Sequence, residues 1–223
     1  MNFFNYDSKL MQLLMFVGDL IILNLLTILC SIPIFTIGAA QAGLYSGIRT
    51  LLDPEDDGSA SAAFFKGLRT GFKDVTIAWT IFFVLQAVMV ACLFMLTGLQ
   101  QSGFSAPVWV GLVALALAVL FQTPIALFHA RFTCTPRQLI RNSWFLTIAH
   151  PIRSVLCAAL LWLPVAVLLL DPYIFMMISI VLVMLYYGVV GLLIFTIMKK
   201  PFQTLIDHYN ETHAETPTET PVE

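Results

Sequence analysis

Leu20 to Ile48 reads LIILNLLTILCSIPIFTIGAAQAGLYSGI and holds no Lys, Arg, Asp or Glu. About 20 apolar residues are enough to cross a bilayer once, so this run is too long for a single crossing. Pro33 interrupts it. A proline removes a backbone donor and disfavours helix at the residue before it, here Ile32. The stretch therefore predicts a membrane hairpin that turns at Pro33, with one span at about 11–31 and a shorter one at about 35–52. The alternative is a single span followed by a helix on the cytoplasmic surface. It is disfavoured because Gly38 to Ile48 has no charged face to offer to water.

Working outward, the rest of the chain has the same character. Of its 223 residues 59% are hydrophobic and only 11% charged, where a soluble domain carries about 25% charged residues. A net charge of −2 gives no basic field for nucleic acid. Val75 to Phe128 contains no charged residue and divides near Gln100-Gln101-Ser102-Gly103 into spans at about 75–98 and 106–129. Trp79 and Trp109 are expected near opposite membrane faces. Two further spans, about 153–170 and 174–198, turn at Asp171-Pro172. The expected fold is all-α: a transmembrane bundle of six spans over residues 1–209, with five as the alternative. Residues 210–223 are expected to be a disordered cytoplasmic tail. An amino-terminal anchor at Phe3, Phe4 and Tyr6 is expected at headgroup level. The first apolar run is too long for a signal peptide, and Asp19 breaks it.

Two segments predict interfacial amphipathic helices. In residues 61–74, Phe64, Phe65, Leu68 and Phe72 are assigned to one side and Lys66, Arg69 and Lys73 to another. In the second, Arg137 and Arg141 alternate with Leu139, Ile140, Trp144 and Phe145, after an amino-terminal cap at Thr135-Pro136. Under six spans every Lys and Arg falls on one side, which places both termini in the cytoplasm.

Ala39, Gly43 and Gly47 recur at intervals of four and form a small-residue face, read as internal packing or as a surface for a partner. Asp19 lies near mid-membrane, where a carboxylate is costly. With Gln86 at similar depth and Asn24 one turn further out it forms either a polar pocket or proton or ion path, or a set of interhelical hydrogen bonds. His129 and Arg131, at the inner end of the fourth span, suit a helix-dipole or phosphate contact. Cys30, Cys92, Cys134 and Cys157 show no metal-ligand spacing, and no cofactor or metal is expected. No phosphate-binding loop, H-E-x-x-H or G-x-S-x-G is present, so an enzyme is not expected.

The motif N-L-L-x-x-x-x-S-x-P-x-x-T-x-G-A-A at Asn24 to Ala40, followed by Tyr45, resembles the YesL family of bacterial membrane proteins. F-F-K-x-x-x-x-x-F-K at Phe64 to Lys73 resembles that family's next block. Thr27 stands where family members often have Trp. The resemblance covers most of the chain and carries no assigned activity. Members are often encoded beside carbohydrate ABC importers. It therefore implies an accessory or regulatory subunit in the bacterial plasma membrane, docked on an importer permease. A small stand-alone transporter or channel built around Asp19, and a membrane scaffold, are the other expectations.

Overall fold

The structure, a computed structural model, describes residues 9–53, 58–99, 106–132 and 135–214. The expected anchor at Phe3, Phe4 and Tyr6, the turn at Gln100 to Gly103, Cys134 and the tail beyond Ala214 lie outside them.

All regular structure among the described residues is helical: α1 (Lys9–Cys30), a 3₁₀ turn (Ile34–Thr36), α2 (Ile37–Leu52), α3 (Ala60–Leu99), α4 (Ala106–His129), α5 (Pro136–Ala149), α6 (Pro151–Leu170), α7 (Pro172–Val181), a π turn (Leu182–Tyr186) and α8 (Tyr187–Ala214). Four helical stretches are long and apolar enough to cross a membrane: Leu10–Cys30, Ala60–Met95, Trp109–His129 and Met184–Thr204. A fifth arises if α5 and the start of α6, bent by 112°, form one broken span. Large side chains such as Ile152, Leu170, Phe94 and Met176 stand exposed around the bundle, as lipid contact requires. These features fit a multi-pass membrane protein.

The hairpin turn lies where the sequence places it. Pro33 is extended (φ −74°, ψ 119°). The Thr36 hydroxyl, with its one proton shared, lies 2.5 Å from the Cys30 carbonyl and 2.7 Å from that of Pro33; the Cys30 carbonyl is one that the end of α1 leaves open. The expected second span, however, is not an ordinary lipid-facing crossing. α2 has sixteen residues, about 24 Å of helix, and most of them are buried. It is the axle of the fold, packed against α1, α3, α4 and α8. Small residues make this possible. Ala39 is buried. A Cβ on Gly43 would stand 2.9 Å from the Phe64 carbonyl oxygen, and one on Gly47 2.5 Å from Leu23 Cδ2. The small-residue face is thus filled by the chain's own α1 and α3.

The first expected interfacial helix and the third span form one helix, α3. No Gly-Pro or Pro breaker separates them, and the Lys73-Asp74 charges do not end a helix. α3 lies close along α2: Gly38 meets Trp79, while Ala42 and Ser46 meet Gly67. The expected aromatic face also divides. Phe64 is fully buried against α2, whereas Phe65 and Phe72 are exposed together with Lys66 and Arg69. Trp79, expected in a belt at one membrane face, is buried against Gly38.

α5 is a separate helix set steeply to α6. Its Thr135 N–H and hydroxyl both donate to Gln138 Oε1, at 3.0 and 3.1 Å. The buried stripe is Leu139, Ser143, Leu146 and Thr147. Arg137, Arg141, Trp144 and Phe145 share the exposed side, so cations and aromatics do not take opposite faces. Asp171 caps α7, accepting from the N–H groups of Tyr173 (2.9 Å) and Ile174 (3.2 Å). α8 continues past Lys199-Lys200 to Ala214, five residues into the expected tail. No glycine or further proline interrupts it before Pro217.

Candidate functional site

The polar residues inside the apolar helices do not form the single trio suggested by depth. Asn24 is fully buried, and its Oδ1 accepts from the backbone N–H of Gly188 at 3.0 Å, which ties α1 to α8. Gln86 of α3 donates from Nε2 to Oε1 of Gln122 in α4 at 2.8 Å. Asp19 is half-buried on α1 and lines neither of the cavities described next.

A cavity of about 500 Å³ lies beside the hairpin turn. Thr27, Ser31 and Gln41 line it from the hairpin, Trp79 and Phe83 from α3, Gln122 and Thr123 from α4, Trp162 from α6 and Tyr187 from α8. Each group has a local reason to be there. Thr27 and Thr123 spend their hydroxyl protons on the carbonyls of Leu23 (2.7 Å) and Val119 (3.0 Å), so their oxygens still accept. The Trp79 and Phe83 rings stack at 5.2 Å, 13° from parallel. Gln122 is 6% exposed. Its oxygen is taken by Gln86, but its Nε2 meets no partner. A buried amide donor without an acceptor is costly, and this one belongs to a side chain on the cavity wall. The lining carries flat aromatic faces, amides and hydroxyl oxygens and no ionisable acid or base near neutrality. It suits a neutral ligand with hydrogen-bonding oxygens and offers nothing for proton transfer.

Gln122, Gln41 and Trp162 are the residues that depth counting missed. The signal was there: each Gln interrupts an apolar run.

Replacing Gln86 by Leu should strip the remaining partner from Gln122 and lower stability by about 1–2 kcal/mol. Replacing both glutamines by Leu should cost less than the sum of the single changes. Thermal unfolding of the four proteins in one detergent gives this double-mutant cycle. Strict additivity would dismiss the pair.

A second cavity, about 550 Å³, opens at the cationic end. Arg49, Asp53, Lys66, His129 and Arg131 line it, together with Ser59, Ala62 and Ala63 at the amino end of α3. Arg49 and Arg131 also border an adjoining hollow with Lys199. The Arg131 guanidinium lies over the rings of Phe195 (4.4 Å) and Phe202 (4.8 Å). Its Nε is buried and donates to nothing among the described groups. Burial, and then the neighbouring Arg49, hold Arg131 below the ordinary arginine value, yet an arginine stays charged. Arg49 donates to the Ala130 carbonyl over 3.4 Å. Among the described residues no His, Cys, Asp and Glu cluster could hold a metal ion.

Compared with known proteins, the chain matches no curated protein and no solved structure. Residues 20–93 match the family model described as "Protein of unknown function, DUF624". The matched segment spans the second half of α1, the hairpin, α2 and most of α3. It therefore supplies Gln41, Trp79 and Phe83 to the cavity beside the hairpin, with Gln122 and Trp162 coming from beyond it.

Proposed function

We propose that the chain is a non-enzymatic protein of the bacterial plasma membrane that serves carbohydrate import as an accessory or regulatory subunit of an ABC permease. It senses or holds a neutral solute in the cavity beside the hairpin. The observation that carries the reading is the unpartnered Gln122 amide on a wall shared with Trp79, Phe83 and Trp162. Sugar hydroxyls accept from amides, and sugar faces stack on aromatic rings. The carbohydrate class and the importer come from the resemblance at Asn24 to Ala40 and Phe64 to Lys73.

The topology that goes with this reading has six membrane-penetrating segments, α2 being the short one, and both termini in the cytoplasm. It is supported by the meeting of Arg49, Lys66, Arg131 and Lys199, from four separate segments, at one end of the bundle. Arg137, Arg141, Trp144 and Phe145 on the exposed side of α5 offer the permease a mixed cationic and aromatic face.

Deleting the chain should reduce uptake of the imported sugar several-fold. Wild type should restore it and Gln122→Leu should not, while purified protein alone in liposomes moves no solute. Unchanged uptake on deletion overturns the proposal. Solute flux through the protein alone would favour a second reading, a stand-alone transporter. The same cavity supports that reading, with Gln122 on its wall, Gln86 bonded to Gln122 and Asp19 outside it.

A further inference from the structure

We infer that the cleft at the cationic end binds a phosphate-bearing anion, gripped by Arg49, Arg131 and Lys66 against the amino end of α3. This site is separate from the cavity beside the hairpin and does not depend on the carbohydrate reading.

Four observations converge on it. First, two guanidinium groups from different helical segments approach one wall, although like charges repel. Their attraction to an anion between them reverses that cost. Second, the Arg131 guanidinium rests over the rings of Phe195 and Phe202, which restrict where it can go. Its planar donor fork suits phosphate oxygens. Third, His129 is only 8% exposed, lines the cleft and has an Nδ1 that meets no partner. Fourth, Ser59, Ala62 and Ala63 bring the first turn of a forty-residue helix to the same cavity. The opening N–H groups of a helix have no partner within it, and they carry the positive end of its dipole.

Among the described residues Asp53 is the carboxylate in the lining, and the cations outnumber it. A cleft of about 550 Å³ has room for a phosphate with a substituent. Basic pockets between helices on the cytoplasmic side of a membrane take anionic headgroups by this chemistry. A lipid headgroup and a soluble phosphate share it, and the test separates them.

The full-length protein in neutral detergent is titrated with dihexanoylphosphatidic acid, dihexanoylphosphatidylcholine and inorganic phosphate, with thermal unfolding as the readout. Phosphatidic acid should raise the transition saturably. Arg131→Gln, Arg49→Gln and Lys66→Gln should each weaken half-saturation by about tenfold, as loss of a charged hydrogen bond does. Lys73→Gln, exposed and outside the cleft, should leave it unchanged. If inorganic phosphate acts at similar concentration, the ligand is a soluble phosphate; if only phosphatidic acid acts, it is a lipid headgroup. Should Arg131→Gln fail to fold, the two rim variants decide. The inference is overturned by an equal response to phosphatidylcholine, or by half-saturation indifferent to Arg49 and Lys66. It is also overturned if binding appears only after Glu55, Asp56 and Asp57 are neutralised, which would make the chain's own acidic segment the occupant.

Discussion

Gly38→Ala should lower the thermal transition of the purified protein by roughly 6–12 °C, taking about 3 kcal/mol of lost stability at about 2–4 °C per kcal/mol. One methyl group produces this because of what it meets. A Cβ at Gly38 would stand 2.6 Å from Trp79 Cβ and 2.7 Å from its Cγ. Those atoms are the root of the side chain, so a rotamer change cannot clear them. Either α2 or α3 must move, and α2 is packed on several sides. Gly18→Ala is the matched comparison. Nothing lies within 4 Å of a Cβ there, and alanine is the better helix former by about 1 kcal/mol. That variant should be as stable as wild type or more so. If Gly38→Ala unfolds with wild type, the close crossing of α2 and α3 is wrong.

Asn24→Leu should cost between about 1 and 2 kcal/mol and should speed amide exchange at Gly188. Interhelical hydrogen bonds in membranes average only about 0.6 kcal/mol, because unpaired side chains find other partners there. This one joins a side chain to backbone. Gly188 stands two residues past the π turn Leu182–Tyr186, where the regular i−4 ladder is interrupted. Its N–H reaches across to Asn24 Oδ1, and both residues are buried. Leucine fills a similar volume but accepts nothing, so the N–H loses that bond inside the bundle. Hydrogen exchange followed by mass spectrometry on the peptide spanning Gly188 checks the local effect, and thermal unfolding checks the global one. An unchanged exchange rate would show that the tie between α1 and α8 contributes nothing.

The hairpin was legible because two local signals coincide: an uncharged run too long for one crossing, and Pro33 inside it. The continuity of α3 was not. Lys73 and Asp74 mark a change of surroundings, and a change of surroundings does not stop a helix; only missing donors or steric clashes do that. The inward turn of Phe64 was hidden for another reason. Its place is set by the gap at Gly43, on a different helix, and no periodicity within residues 61–74 records that gap. The polar trio divides for a related reason: Asn24 and Gln86 each make an interhelical hydrogen bond, but not with one another. Counting residues from the membrane face gives depth but not rotation about the helix axis. Asn24 and Gln86 accordingly face different partners, Gly188 and Gln122, and Asp19 faces neither. Gln122 stands out in the sequence, in Gln122-Thr123-Pro124, as a place where the helix could kink, but its pairing with Gln86 needed the register between α3 and α4.

The short, enclosed α2 has a consequence for how the protein is made. During synthesis Ile37–Leu52 leaves the ribosome before α3 exists, and it is too short to span lipid comfortably by itself. Its glycines then line open gaps where Phe64 and Trp79 will later sit. Stable insertion of the hairpin is therefore expected to depend on the arrival of α3, which fills those gaps.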